Sequence, residues 1–133
     1  MKVIYGIDNY KPLKPCALTI GTFDGVHVGH QKIIRRLVSV SKNKNIHPVV
    51  LTFFPHPRMI LQSDTSIKLI DTIEEKIDIL KHLNIGTLII HPFSKSFSRM
   101  TANEFVRDII VKSLSVKYLI IGLCKLNDFS SLL

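Results

Sequence analysis

Cysteine is scarce in this chain of 133 residues: only Cys16 and Cys124 occur. They form neither a zinc-type spacing nor a disulfide framework. Long apolar runs are missing too, and none approaches the roughly 18 residues that suggest a membrane span. After Lys2 the residues are mixed, and the first apolar run leads straight into a glycine-rich turn, so no secretory leader is expected. A cytoplasmic setting without membrane contact is the expectation. There is no G-x-x-x-x-G-K-[ST] run, which excludes a kinase-like phosphate loop. Acidic residues are few, 10 against 18 Lys and Arg, for a net charge of +8. That excess attracts nucleic acid, an anionic surface or an anionic small ligand. The basic residues are dispersed, with no stripe interleaved with aromatics. Attraction of a triphosphate is therefore the economical reading, and no nucleic-acid partner is expected.

What is present is a core. Hydrophobic residues make up 46 % of the chain, which argues against disorder. The length predicts one domain. Short, wholly apolar runs at Cys16–Ile20, Val49–Phe54, Thr87–Ile90 and Tyr118–Ile121 read as four strands buried on both faces. Between them lie helical patterns. The first runs from Gln31 to about Lys42, with Ile33, Ile34, Leu37 and Val38 as its buried stripe and Arg35-Arg36 on its wet face. The second starts at Asp71 or Thr72 with a capping box and buries Ile73, Ile77, Leu80 and Leu83. The third opens on the Thr101–Glu104 box and runs to about Leu114, burying Phe105, Val106, Ile109 and Ile110. Residues from Val3 to Lys14 read as a lead-in with at most a short strand, closed by Pro12 and Pro15. Alternation of this kind predicts an α/β fold with a doubly wound parallel sheet.

The chain is organised around Gly21-Thr22-Phe23-Asp24-Gly25-Val26-His27-Val28-Gly29-His30, between the first strand and the first helix. Gly21, Gly25 and Gly29 permit tight turning and close approach of a ligand. His27 and His30, three apart on a first helical turn, share a face and point where the positive end of the helix dipole points. That is an anion site with two side-chain donors. A solvated glycine-rich turn is the plainer alternative for any isolated H-x-G-H. Further along, Pro55-His56-Pro57 stops the second strand and His91-Pro92-Phe93 the third. Both place rings at the sheet edge where ligands bind in open α/β sheets. Phe53 and Phe93 are candidates either for stacking on a flat ligand or for the core.

The turn resembles the H-x-G-H signature of nucleotidylyltransferases, and its G-T-F-D-G-V-H form resembles the prokaryotic FAD synthase family, often fused to a riboflavin kinase. The resemblance continues through Thr52-Phe53-Phe54-Pro55-His56-Pro57-Arg58 and Phe97-Ser98-Arg99-Met100-Thr101-Ala102-Asn103-Glu104-Phe105-Val106, from about Lys2 to Gly122. It implies a Rossmann-like nucleotidylyltransferase fold and transfer of AMP from ATP, with Mg2+, to FMN, giving FAD and pyrophosphate. His27 and His30 would be the catalytic donors to the phosphates. Gly21, Thr22, Phe23, Asp24, Gly25 and Gly29 would bind nucleotide, and Phe53, His56, Pro57, Arg58, His91 and Phe93 would lie on the flavin side. No residue is assigned as a protein metal ligand. Asp24 has three candidate roles: indirect Mg2+ binding, orienting an imidazole, or capping the loop backbone, with the structural ones favoured.

The departures lie at the end. After Ile121-Gly122 the family's glycine-acid-aromatic segment is replaced by Leu123–Leu133, where Asp128-Phe129 is a displaced echo. The later hydroxyl-and-arginine motif and the kinase domain are not found. Residues 1–122 are therefore expected to be a partial FAD synthase domain, incomplete at its C-terminus, and 123–133 an aberrant tail. This short chain is expected to make little or no FAD by itself. A nucleotide-binding remnant without turnover and another H-x-G-H nucleotidylyltransferase remain as alternatives, with a basic nucleic-acid-binding domain behind them. The residues carry no reading of oligomeric state.

Overall fold

Cys16 and Leu18 pack to one side of a sheet, and Ala17 between them packs to the other. The same alternation recurs at Val49, Val50 and Leu51, so these strands are covered on both faces. The computed structural model describes residues 1–21, 23, 28–54 and 72–120. Its five strands are β1 (Lys2–Tyr5), β2 (Cys16–Ile20), β3 (His47–Phe53), β4 (Thr87–His91) and β5 (Val116–Ile120). They run parallel throughout, in the spatial order β1-β4-β3-β2-β5. The lead-in thus holds a full edge strand, paired from Lys2↔Thr87 to Tyr5↔Ile90. Its partner lies some 85 positions away, which is why local pattern showed little of it.

Helix α1 (Val28–Lys44) connects β2 to β3, and α2 (Ile73–Lys81) precedes β4. Ile34 and Leu37 of α1 and Leu80 of α2 join Ala17, Val50, Leu88 and Ile90 in one core layer. α1 ends on Asn45 at φ 53, with the Ile46 N–H donating to the Ser41 carbonyl, a left-handed cap of the kind Asn tolerates. α2 starts on Thr72, whose hydroxyl accepts from the Glu75 N–H; Asp71 lies outside the described residues. Of the stripe expected on α2, Leu80 is fully buried, while Ile73, Ile77 and Leu83 are partly buried.

The opposite face is built from irregular pieces. A 3-10 turn (Ile7–Asn9) follows β1, and a short helix α3 (Lys95–Ser98), capped by Ser94, follows β4. Helix α4 (Ala102–Glu104) opens on the expected box: Thr101 Oγ1 accepts from the Glu104 N–H and donates to its carboxylate. It then passes into a π-helical segment, Phe105–Ser113, closed by the Leu114 N–H on the Ile109 carbonyl. With five-residue bonding, Phe105 and Ile110 become the buried pair, whereas Val106 and Ile109, expected to be buried, are only partly so. These residues cover Cys16, Leu18, Val49, Leu51 and Ile89.

Helices on both faces of a parallel sheet make the fold α/β and doubly wound. Among the described residues no helix is long and apolar enough to cross a membrane. The expected boundary at Gly122 and the segment 123–133 lie outside the described residues.

Candidate functional site

Chain connections reverse direction beside β2: α1 leads from it toward β3, while β5 reaches its other side after crossing from β4. Ligands of open α/β sheets bind at such switch points, beyond the carboxyl ends of the strands. The glycine-rich turn leaves β2 there. Gly21 donates its N–H to the Leu51 carbonyl, continuing the ladder by one residue. A Cβ on Gly21 would stand 3.0 Å from the Phe23 ring, so this position favours glycine for packing. Phe23 itself sits at φ 51 and is 2 % exposed, turned into the α1 face of the core. Its ring anchors the turn.

α1 begins at Val28, three residues earlier than the sequence pattern suggested, so Gly29 and His30 lie in its first turn. His30 is half-buried and meets Phe23 edge to face, 5.2 Å between ring centroids. The helix dipole places positive potential here. Arg35 and Arg36 are exposed on the far side of α1, as a solvated face requires. Thr22, Asp24, Gly25 and His27 lie outside the described residues, as do His56, Pro57 and Arg58.

At the exits of β3 and β4 a ring cluster forms. Phe53 and His91 are partners across the two strands. Phe53 lies 5.6 Å from Phe93 and 5.5 Å from Phe97, and His91 lies 5.0 Å from Phe97. Phe97 contacts Phe93 and Phe105 as well, at 5.8 and 6.1 Å. The residue joining the cluster is thus Phe97, which is not among the residues expected on the flavin side. The signal was available: Ser94 caps the helix that carries it, and Phe97 is the residue whose N–H the cap receives. Phe54, expected to continue β3, is instead 47 % exposed just beyond it.

His91 is more than a wall. Its Nδ1 accepts the Ile7 N–H at 3.0 Å, which fixes the proton of the neutral ring on Nε2. Burial lowers its pKa, partly offset by Asp8. Nucleophilic roles for Cys16 and Tyr10 are disfavoured, because burial pushes both up to about 12. Cys16 Sγ donates to the Leu114 carbonyl and serves the core. Among the described residues no group of three or more His, Cys, Asp or Glu side chains converges to hold a metal ion.

The sequence profile of the FAD synthetase family matches residues 10–129. The chain is a member of the FAD synthetase family. It is 38 % identical over 123 residues to a bifunctional riboflavin kinase/FMN adenylyltransferase from Buchnera aphidicola subsp. Schizaphis graminum, covering 92 % of this chain and 39 % of that protein. The protein of that description from Escherichia coli K12 is 34 % identical over 124 residues, covering 92 % and 40 %. This family member therefore spans about two-fifths of the length of those relatives. A crystal structure described as a macrolide-efflux protein from Streptococcus pneumoniae superposes with a TM-score of 0.82 at 24 % identity, over 91 % of this chain and 48 % of that one. That likeness supports the fold alone.

Proposed function

We propose that the chain carries adenylyl transfer: the phosphate of FMN attacks the α-phosphorus of ATP, the bond to the β-phosphate oxygen breaks, and FAD and pyrophosphate form. One observation carries this reading, the family's H-x-G-H turn standing at the switch point of the sheet with His30 in the first turn of α1. Catalysis of this kind is positioning and charge stabilisation, with no covalent nucleophile required. In this reading His30 and His27 donate to the phosphate chain, and Gly21, Thr22, Gly25 and Gly29 let the backbone approach it. Phe23 contributes by anchoring the turn, and Asp24 keeps the roles named above. FMN lies toward Phe53, His56, Pro57, Arg58, His91 and Phe93. Mg2+ would arrive on the triphosphate oxygens, where a hard cation needs few protein ligands. In this reading residues 1–122 are a partial synthase domain, in the cytoplasm, without a nucleic-acid or membrane partner.

The test is calorimetric titration with ATP and Mg2+, then an assay with FMN in which FAD is followed by chromatography beside a longer relative. His30→Ala is expected to weaken ATP binding by about 1.5–3 kcal/mol, the scale of a hydrogen bond to a charged group. FAD formation that depends on His30 supports transfer. ATP binding without FAD favours the binding-only reading. Equal ATP affinity in the wild type and His30→Ala would remove the turn from the site.

A further inference from the structure

The opposite end of the sheet holds a cavity. It has a volume of about 500 Å3 and opens at the amino-terminal ends of β1, β3 and β4, under the chain segment 9–14. Ligand pockets commonly span about 300–1,000 Å3. The strands are parallel, so this end lies a strand length, roughly 17–20 Å, from the switch-point end.

Its charge is one-sided. Lys2, Lys11 and Lys14 line it together with His47. No carboxylate is among its lining residues, and among the described residues none of these lysines is engaged in an ion pair. His47 is held in place: its Nε2 lies 2.7 Å from Thr87 Oγ1, and its ring rests on Gly86, where any Cβ would fall on the ring. Burial lowers its pKa, and the nearby Lys14 ammonium acts in the same direction. Tyr10 is neutral there, its phenol pushed up to about 12. An anion would relieve this gathering of cations. Ile4 and Pro12 give the cavity an apolar side, and Leu13 at its rim is wholly exposed.

We infer that this cavity binds a small organic phosphate, its anionic group against Lys11, Lys14 and His47 and its apolar body against Ile4, Pro12 and Leu13. Charge-assisted bonds from ammonium groups hold the phosphate, and the covered apolar surface selects an ester over the free ion. The site is separate from the glycine-rich turn and does not depend on adenylyl transfer.

The experiment is histidine NMR on the whole chain, with the His47 signal assigned by its loss in His47→Gln. Phenyl phosphate is expected to shift that signal saturably and to raise the pH at which it titrates. Inorganic phosphate should do so only at about tenfold higher concentration. Lys11→Gln/Lys14→Gln, both surface changes, should weaken the effect at least tenfold while the His91 signal stays in place as a check on folding. An unmoved His47 signal, or an undiminished response in the double variant, would overturn the site. An equal response to phenol would overturn its anionic character, and inorganic phosphate binding as tightly as phenyl phosphate would overturn the apolar half.

Discussion

On one face of the sheet, α1 and α2 lay regular helices over Ala17, Val50, Leu88 and Ile90. On the other, a 3-10 turn and a π-helical segment cover Cys16, Leu18, Leu51 and Ile89. The regular face satisfies its backbone within helices and at their caps. The irregular face threads side chains into backbone positions: Cys16 donates to Leu114, and His91 accepts from Ile7. Buried backbone groups must find partners, and on the irregular face two of those partners are side chains from distant parts of the chain. The glycine-rich turn grows from the first face and the Phe53–Phe97 ring cluster from the second. The candidate site therefore joins a glycine-rich segment and an aromatic cluster that are held by different means.

The largest effects test whether the faces unfold together. Leu37→Ala on the regular face and Leu114→Ala on the irregular one each empty a fully buried position, and each is expected to cost about 2–5 kcal/mol. Urea melts followed by far- and near-ultraviolet circular dichroism should superimpose for both variants. A separate early transition in Leu114→Ala alone would show that the irregular face is its own unit.

Next comes Gly86→Ala, which forces the new methyl onto His47. The expected cost is about 1–3 kcal/mol, as for other overpacked sites. His47→Ala in the same chain should recover most of it. No recovery would mean that the backbone, rather than the ring, dictates glycine.

The third test concerns pH and belongs to the irregular face. His91 and His47 both have pKa values lowered by burial. The unfolded chain then binds protons first as pH falls, so stability is full above about pH 6.5 and declines as pH drops through that value toward the folded ones. His91→Phe should shallow this decline and, by stranding the Ile7 N–H, cost about 1–3 kcal/mol at pH 7. An unchanged slope in melting temperature between pH 7.5 and 5.5 would take His91 out of the linkage.

The smallest effect compares the caps. Thr72→Ala on α2 and Thr101→Ala on α4 should each cost about 1 kcal/mol. A much smaller loss for Thr101→Ala would show that the π-helical segment holds its own start.

The four apolar runs that became β2, β3, β4 and β5 were legible because short apolar strands of a covered sheet announce themselves by composition. So were the caps at Thr72 and Thr101, whose signals are local. The π-helical segment was not, since Phe105, Val106, Ile109 and Ile110 suit α-helical spacing equally well. Nor was the bond between Ile7 and His91, which depends on two segments meeting across the sheet. The cavity at the amino-terminal ends of the strands was hidden for the same reason: Lys2, Lys14, His47 and Thr87 share no stretch of sequence.

The pairing of β1 with β4 has a bearing on how the chain is made. Lys2 finds its partner only at Thr87, so a chain synthesised from its amino end holds β1 without a place for about 85 residues. At roughly 5–20 residues per second that is a wait of about 4–17 s. Until then β1 is an apolar strand with nothing to pair with, open to a neighbouring chain or a chaperone. Its capture is late, and the Ile7–His91 bond, made just past the last β1 pair, acts as the latch. Pulse-labelled exchange during refolding should find the Ile4 and Gly6 amides protected after those of β2 and β3; protection in the reverse order would show that β1 docks on something other than its final partner.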